Sequence, residues 1–173
     1  RDVAVTGVQT CALPILLKWL RENGCGFLSP QCFAGAAEVG DLEMMKWLKD
    51  NGCPLQIDMI CRSAKGHLLE VMKWLKENGF HDMQSEAYSY ASHASGSKSL
   101  EILRWLREEG CPFDNMAYIN AAKEGNLDAL KWLVEAEPVV WEARVCVEVA
   151  KEGHLEVLKW LRAQGCPWQD DKI

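Results

Sequence analysis

Leu155, Leu158 and Leu161 recur at every third position between two glycines, with Val157 and Trp160 beside them and Glu156, Lys159 and Arg162 interleaved. That spacing predicts an amphipathic helix over 155–164, with a broad apolar stripe against a core and charge toward water. A shorter helical stretch is predicted over 142–152; Gly153 breaks it, and Gly165-Cys166-Pro167 closes the longer helix. The same hydrophobic and polar order predicts further long helices over 42–51, 68–78, 100–109 and 127–136.

The pattern is a tandem repeat. Trp19, Trp47, Trp74, Trp105, Trp132 and Trp160 each sit in a Lys/Arg-Trp-Leu tripeptide, at spacings of 28, 27, 31, 27 and 28 residues. The first helix of each unit is small and apolar on one side, through Ala36-Ala37, Ala64, Ala121-Ala122 and Ala150. Small residues there let neighbouring helices approach closely. One bulky core residue accompanies them, read as Phe33, Ile60, Tyr90, Tyr118 and Cys146, with one extra residue needed around Ser95-Gly96-Ser97 in the fourth unit.

Charge follows the same period. Glu43/Lys46, Glu70/Lys73, Glu101/Arg104, Asp128/Lys131 and Glu156/Lys159 are acid-then-base pairs at i, i+3 on the second helices. The acid lies near the positive end of the helix dipole, and each pair contributes only about 0.2–0.5 kcal/mol. Their use is to mark the solvent face. Asp41, Ser99 and Asn126 precede three of these helices, where a short polar side chain can cap free amides.

Strings such as AAEVGDLEMMKWL, AAKEGNLDALKWL and VAKEGHLEVLKWL, each followed by a glycine turn, resemble the ankyrin repeat. The resemblance covers roughly 16–173 and is nearest to a Trp-rich branch with Gly-Cys-Pro-Trp turns, here Gly165-Cys166-Pro167-Trp168 and, less fully, Gly52-Cys53-Pro54 and Gly110-Cys111-Pro112. It implies an all-α, ankyrin-like solenoid of helix-turn-helix units, about five and a half of them, 27–31 residues long. The family period is about 33 residues and its first helix opens with Thr-Pro-Leu-His. Gln31-Cys32-Phe33-Ala34 and Arg144-Val145-Cys146-Val147 stand in that place, so the inter-repeat bonds of that Thr and His are absent. Short turns are expected instead of long β-hairpin fingers. A generic α-hairpin solenoid is the alternative; the leucine-rich-repeat strand string does not occur.

Residues 1–15 lie outside the pattern. Arg1 stands where an initiator methionine would, Leu16-Leu17-Lys18-Trp19-Leu20 begins in mid-unit, and VTGVQTCALPI resembles a translated sequencing-adapter fragment found at the ends of assembled metagenomic genes. A non-native leader followed by the C-terminal part of a longer array is the expectation; an irregular N-terminal cap is the alternative.

Composition narrows the function classes. The chain has 173 residues, 49% of them hydrophobic, and a net charge of −6. That charge, without a basic run, argues against nucleic acid, where cationic contacts to phosphate supply most of the affinity. No apolar run approaches the roughly 18 residues of a membrane span. Eight cysteines in 173 residues fall below the density of disulfide scaffolds, and no Cys-x-x-Cys occurs. Reduced thiols in a cytoplasmic, reducing compartment are expected. Cys25, Cys53, Cys111 and Cys166 share the position after the turn glycine. They read as small buried hydrophobes, since stacked units about 8–10 Å apart are too distant for bridges between them.

The six periodic tryptophans read as core, in the slot where the resemblance places the first of two buried leucines; Trp141 and Trp168 are better candidates for exposure. His154 and, with a one-residue slip, His67 match the family histidine of the second-helix turn, a capping role, while His81 and His93 are isolated. Neither a metal-ligand spacing nor a nucleophile, phosphate-loop or zinc-protease motif occurs, so no metal, cofactor or enzymatic activity is expected.

The resemblance implies protein–protein recognition through the turns and the exposed end of each first helix. The corresponding candidates are Glu38, Val39, Lys65, Lys123, Glu124, Lys151 and Glu152, with Gln56, Asn115 and Glu142 on the turn side. A monomer bound to a protein partner is expected. A structural spacer, or the adaptor half of a larger protein recruiting for example a ubiquitin ligase, is the alternative.

Overall fold

The computed structural model describes residues 19, 22, 29–54, 58–81, 83–93, 97–136 and 138–168. The expected leader, Gln56 and Cys25 lie outside the described residues. Ten helices have defined bounds and no strand occurs among the described residues, so the chain is all-α. They are α1 (Pro30–Val39), α2 (Leu42–Asp50), α3 (Met59–Lys65), α4 (Leu69–Glu77), α5 (Glu86–Ala91), α6 (Ser97–Glu108), α7 (Met116–Lys123), α8 (Leu127–Ala136), α9 (Ala143–Lys151) and α10 (Leu155–Ala163).

The chain divides into two compact units, one ending at Phe80 and one beginning at His81. In the first, α1 pairs with α2, α3 pairs with α4, and α1 lies against α3. In the second, the pairs are α5/α6, α7/α8 and α9/α10. There α7 lies between α5 and α9, and α6 lies beside α8, so the first helices of the pairs, expected to be short, form one layer and the second helices, expected to be long, the other. The expected lengths are corrected at α1, which has 10 residues against 9 in α2, and at α9 and α10, which have 9 each.

Four of the long helices bury the same stripe: Met44, Met45 and Leu48 on α2, Val71, Met72 and Leu75 on α4, Ile102, Leu103 and Leu106 on α6, Ala129, Leu130 and Leu133 on α8; on α10 the expected stripe is corrected, with Val157 and Leu161 buried, Leu158 half-buried and Leu155 58% exposed. Facing them are small residues of the short helices, among them Ala36, Ala37, Ala64, Ala91, Ala121 and Ala122, all buried. Ala150 is exposed instead, at the end of the row of short helices among the described residues. The bulky position is corrected in one unit. Tyr88 is 3% exposed and Tyr90 37%, because Tyr88 stands three and four residues before buried Ala91 and Ser92, as Tyr118 does before Ala121 and Ala122.

The tryptophans are shallower than expected. Trp105 is 8% exposed and buried, Trp47, Trp74, Trp132 and Trp160 are half-buried, and Trp19 is 56% exposed. Each of the five from Trp47 to Trp160 precedes a fully buried leucine, so it lies about 100° of helix rotation from it, on the flank of the stripe. On that flank Lys49 Nζ lies 6.0 Å from the centroid of Trp74, and the Arg107 guanidinium 5.9 Å from that of Trp132. Trp141 is half-buried, edge-on between Tyr118 and Trp160 at 5.5 and 6.2 Å, while Trp168 is exposed.

The short helices end in a common turn. Asp41 N–H donates to Ala36 O, Leu68 N–H to Ser63 O, Asn126 N–H to Ala121 O and His154 N–H to Val149 O, at 2.8–3.2 Å. This closure requires a left-handed residue just before the donor. Gly40, Gly125 and Gly153 supply it at φ 79°, 73° and 80°, but in the second unit of the repeat His67 does, at φ 55°. There the glycine comes one residue early, as Gly66, and Leu68 stands where Asn126 does elsewhere. The expected capping role of His67 and His154 is thereby corrected: neither helix α4 nor α10 has a side-chain cap. His67→Gly is expected to stabilise the protein by about 1 kcal/mol through relief of left-handed strain. Urea unfolding measures it, and a loss of stability would mean that the imidazole contributes more than its backbone costs.

Asp41 and Asn126 do cap, accepting from Met44 N–H at 2.9 Å and Ala129 N–H at 3.1 Å. Ser99 does not, because α6 already begins at Ser97; its hydroxyl donates to Ala91 O at 2.7 Å and accepts from Asn126 Nδ2 at 3.3 Å. A buried polar ladder thus joins α5, α6 and the start of α8.

Candidate partner-binding face

The ends of the short helices are presented by the shared turn, so equivalent side chains emerge one period apart. Glu38 and Val39 close α1, Lys65 closes α3, Lys123 and Glu124 close α7, and Lys151 and Glu152 close α9. Lys123 is half-buried and the other six are exposed, Val39 at 58%. Asn115 and Glu142, at the starts of α7 and α9, are exposed as well. Gln56 lies outside the described residues.

Several of these groups bind a neighbouring helix first. In the first unit the Arg62 guanidinium meets Glu38 Oε1 at 2.9 Å and Asp58 Oδ2 at 2.8 Å, linking α3 to α1. Its hydrogen bonds to the two carboxylates, Glu38 foremost, hold the guanidinium still more firmly protonated than usual. In the second unit Glu124 lies 3.4 Å from His93 Nδ1, and Asn120 Nδ2 donates to Ser89 Oγ. Glu148 takes Lys151 at 2.9 Å and Lys123 at 3.5 Å. The hydrogen bond from Lys151, with Lys123 adding to it, holds the Glu148 carboxyl below the usual carboxylate range. Glu142 pairs with Arg144 at 2.7 Å.

Arg62, Ser89, His93, Asn120 and Glu148 are therefore part of this surface, although residue-by-residue reading of the sequence does not single them out. A signal does exist in the string: each stands 24–31 residues from a complementary partner, one repeat period away. Exposed ion pairs of this kind contribute about 0–1 kcal/mol each. They fix side-chain direction more than stability, joining neighbouring short helices at their ends within each of the two units. Acid-then-base pairs on the long helices close as Glu43–Lys46, Glu70–Lys73 and Glu156–Lys159, at 2.8–2.9 Å, on exposed faces.

On the turn side the thiols after the glycine are buried. Cys53 Sγ donates to Ser29 O and Cys111 Sγ to Gln84 O, both at 3.3 Å, and Cys166 Sγ reaches Glu142 O at 3.8 Å. Each thiol thereby ties its turn to the residue just before the short helix of its own unit. Burial, and then the neighbouring Cys32, push the Cys53 thiol up from its ordinary value. No group of three or more potential metal ligands occurs among the described residues, and no helix there is long and apolar enough to cross a membrane.

No family model matches the chain, and no curated protein matches its sequence.

Proposed function

We propose that the chain is an ankyrin-type array that binds a partner protein through the ends of its short helices and the adjoining turns. The observation that carries this reading is the set of short-helix ends within each compact unit. Those of α1, α3, α7 and α9 close on one left-handed residue and present exposed polar side chains at equivalent places in the repeat, with Val39 an apolar position among them. Stacked repeats form extended recognition surfaces of this kind because each unit adds the same few outward positions. Pairing between neighbours holds the charged groups in place before a partner arrives, which lowers the ordering cost of association.

The test inverts the surface while keeping the ion pairs made by position 148. A variant carrying Lys123→Glu, Glu124→Lys, Glu148→Lys, Lys151→Glu and Glu152→Lys keeps the Glu148 pairs with their signs exchanged. Quantitative pull-down from a cell extract is expected to show a discrete set of proteins retained by the wild type and reduced about tenfold or more by the variant. Circular dichroism should be the same for both. An unchanged set of bound proteins would remove this face from consideration.

A further inference from the structure

In the last unit two buried thiols meet. Cys146 Sγ on α9 and Cys166 Sγ in the turn after α10 are 3.0 Å apart, and neither residue is exposed to solvent. The equivalent places in two other units show what stands there instead. Each turn thiol reaches the carbonyl just before its short helix: Cys53 that of Ser29, Cys111 that of Gln84, Cys166 that of Glu142. Four residues beyond those carbonyls stand Phe33, Tyr88 and Cys146. Two units carry an aromatic residue at that position; the last carries a second cysteine, which meets the turn thiol.

We propose that Cys146 and Cys166 form a reversible disulfide that staples α9 to the turn closing α10 when the protein meets a small-molecule disulfide oxidant. One cysteine, as thiolate, attacks a sulfur of the oxidant R–S–S–R; a protein–S–S–R bond forms, the oxidant S–S bond breaks, and RS⁻ leaves and takes a proton. The second cysteine, as thiolate, attacks the protein sulfur of that mixed disulfide, and a second RS⁻ leaves and takes a proton. Two cysteine thiols are oxidised to one disulfide, and one R–S–S–R is reduced to two RSH.

Burial, together with the hydrogen bond to Cys146, pushes the Cys166 thiol up to about 12, so thiolate is scarce at that sulfur. Exchange therefore waits for local opening of the unit, and a reducing compartment keeps the pair as thiols. The bridge closes a loop of about twenty residues around α10, which restrains the opened state of that unit.

The experiment treats the full chain with oxidised glutathione, blocks remaining thiols with iodoacetamide and maps tryptic peptides by mass. The expected product is VCVEVAK joined to AQGCPWQDDK, lighter than the two free peptides by about 2 Da, with Cys53 and Cys111 alkylated on unfolding. Reduction should separate the pair. Oxidised protein should be cut by trypsin after Lys151 and Arg162 about tenfold more slowly than reduced protein in brief native digestion. Cys146→Phe, which restores the aromatic of the other units, should abolish both effects while keeping the helical spectrum. Absence of the linked peptide, or glutathione found on Cys146 or Cys166 as a stable mixed disulfide, would overturn the proposal. A linked peptide without slower cutting would overturn its role as a staple.

Discussion

Trp105→Ala is expected to destabilise the second unit by about 3–5 kcal/mol, and Trp132→Ala by about half as much, although both occupy the same place in the repeat. Trp105 is buried on a helix whose Ile102, Leu103 and Leu106 are fully enclosed, so truncation leaves a void that surrounding side chains fill only in part. Trp132 is half-buried beneath the Arg107 guanidinium, and water can enter the space its ring leaves. The cation–π attraction that disappears with the ring contributes about 0.5–1 kcal/mol. Against a typical total of about 5–15 kcal/mol, the first change removes a large share of the stability and the second does not. Urea unfolding followed by far-ultraviolet circular dichroism measures both, since tryptophan fluorescence changes with the substitution itself. Equal losses would show that the depth of the ring is not what sets its contribution.

The second large effect comes from a glycine. Gly125→Ala is expected to cost about 3 kcal/mol, and Gly110→Ala about 1 kcal/mol, although both glycines have φ near 72°. At Gly110 nothing lies within 4 Å of an added Cβ, leaving left-handed strain alone. At Gly125 the Cβ would stand 2.6 Å from His154 Nδ1 and 2.9 Å from its Cγ, so the whole ring must move. His154 belongs to the following helix pair, and this close approach therefore couples one pair to the next. Gly125→Ala/His154→Ala should recover the steric part of the loss and leave the strain, a coupling of about 1–2 kcal/mol in a double-mutant cycle. Additive losses would mean that His154 does not rest on the glycine backbone in solution.

These two cases mark how far the sequence can be read. Trp105 and Trp132 share the Lys/Arg-Trp-Leu signature, and nothing in the string separates a buried ring from a half-buried one. Depth depends on what the neighbouring helix brings to the flank, here an arginine 25 residues earlier. Gly125 is legible as a helix break, but its approach to His154 is not, because that approach joins residues 29 apart across two helix pairs. His67 in the left-handed slot follows from a one-residue slip of the glycine, which is visible in the sequence but reads there as a cap. Tyr90 reads as the core tyrosine in place of Tyr88 because Gly96 stands four residues before Leu100, where Gly125 stands two before Leu127, so the glycine does not carry the register of its unit.

Local pattern alone settles the helices and their order, most of the apolar stripe of the second helices and the outward charge. All of these follow from periods of three to four residues that act within one turn or one helix. Long-range packing decides the rest. Which ring is deep, which carboxylate faces a neighbouring lysine, and that Cys146 meets Cys166 are properties of side chains 20–31 residues apart. A local pattern fixes the face a residue points from; only packing fixes what it finds there.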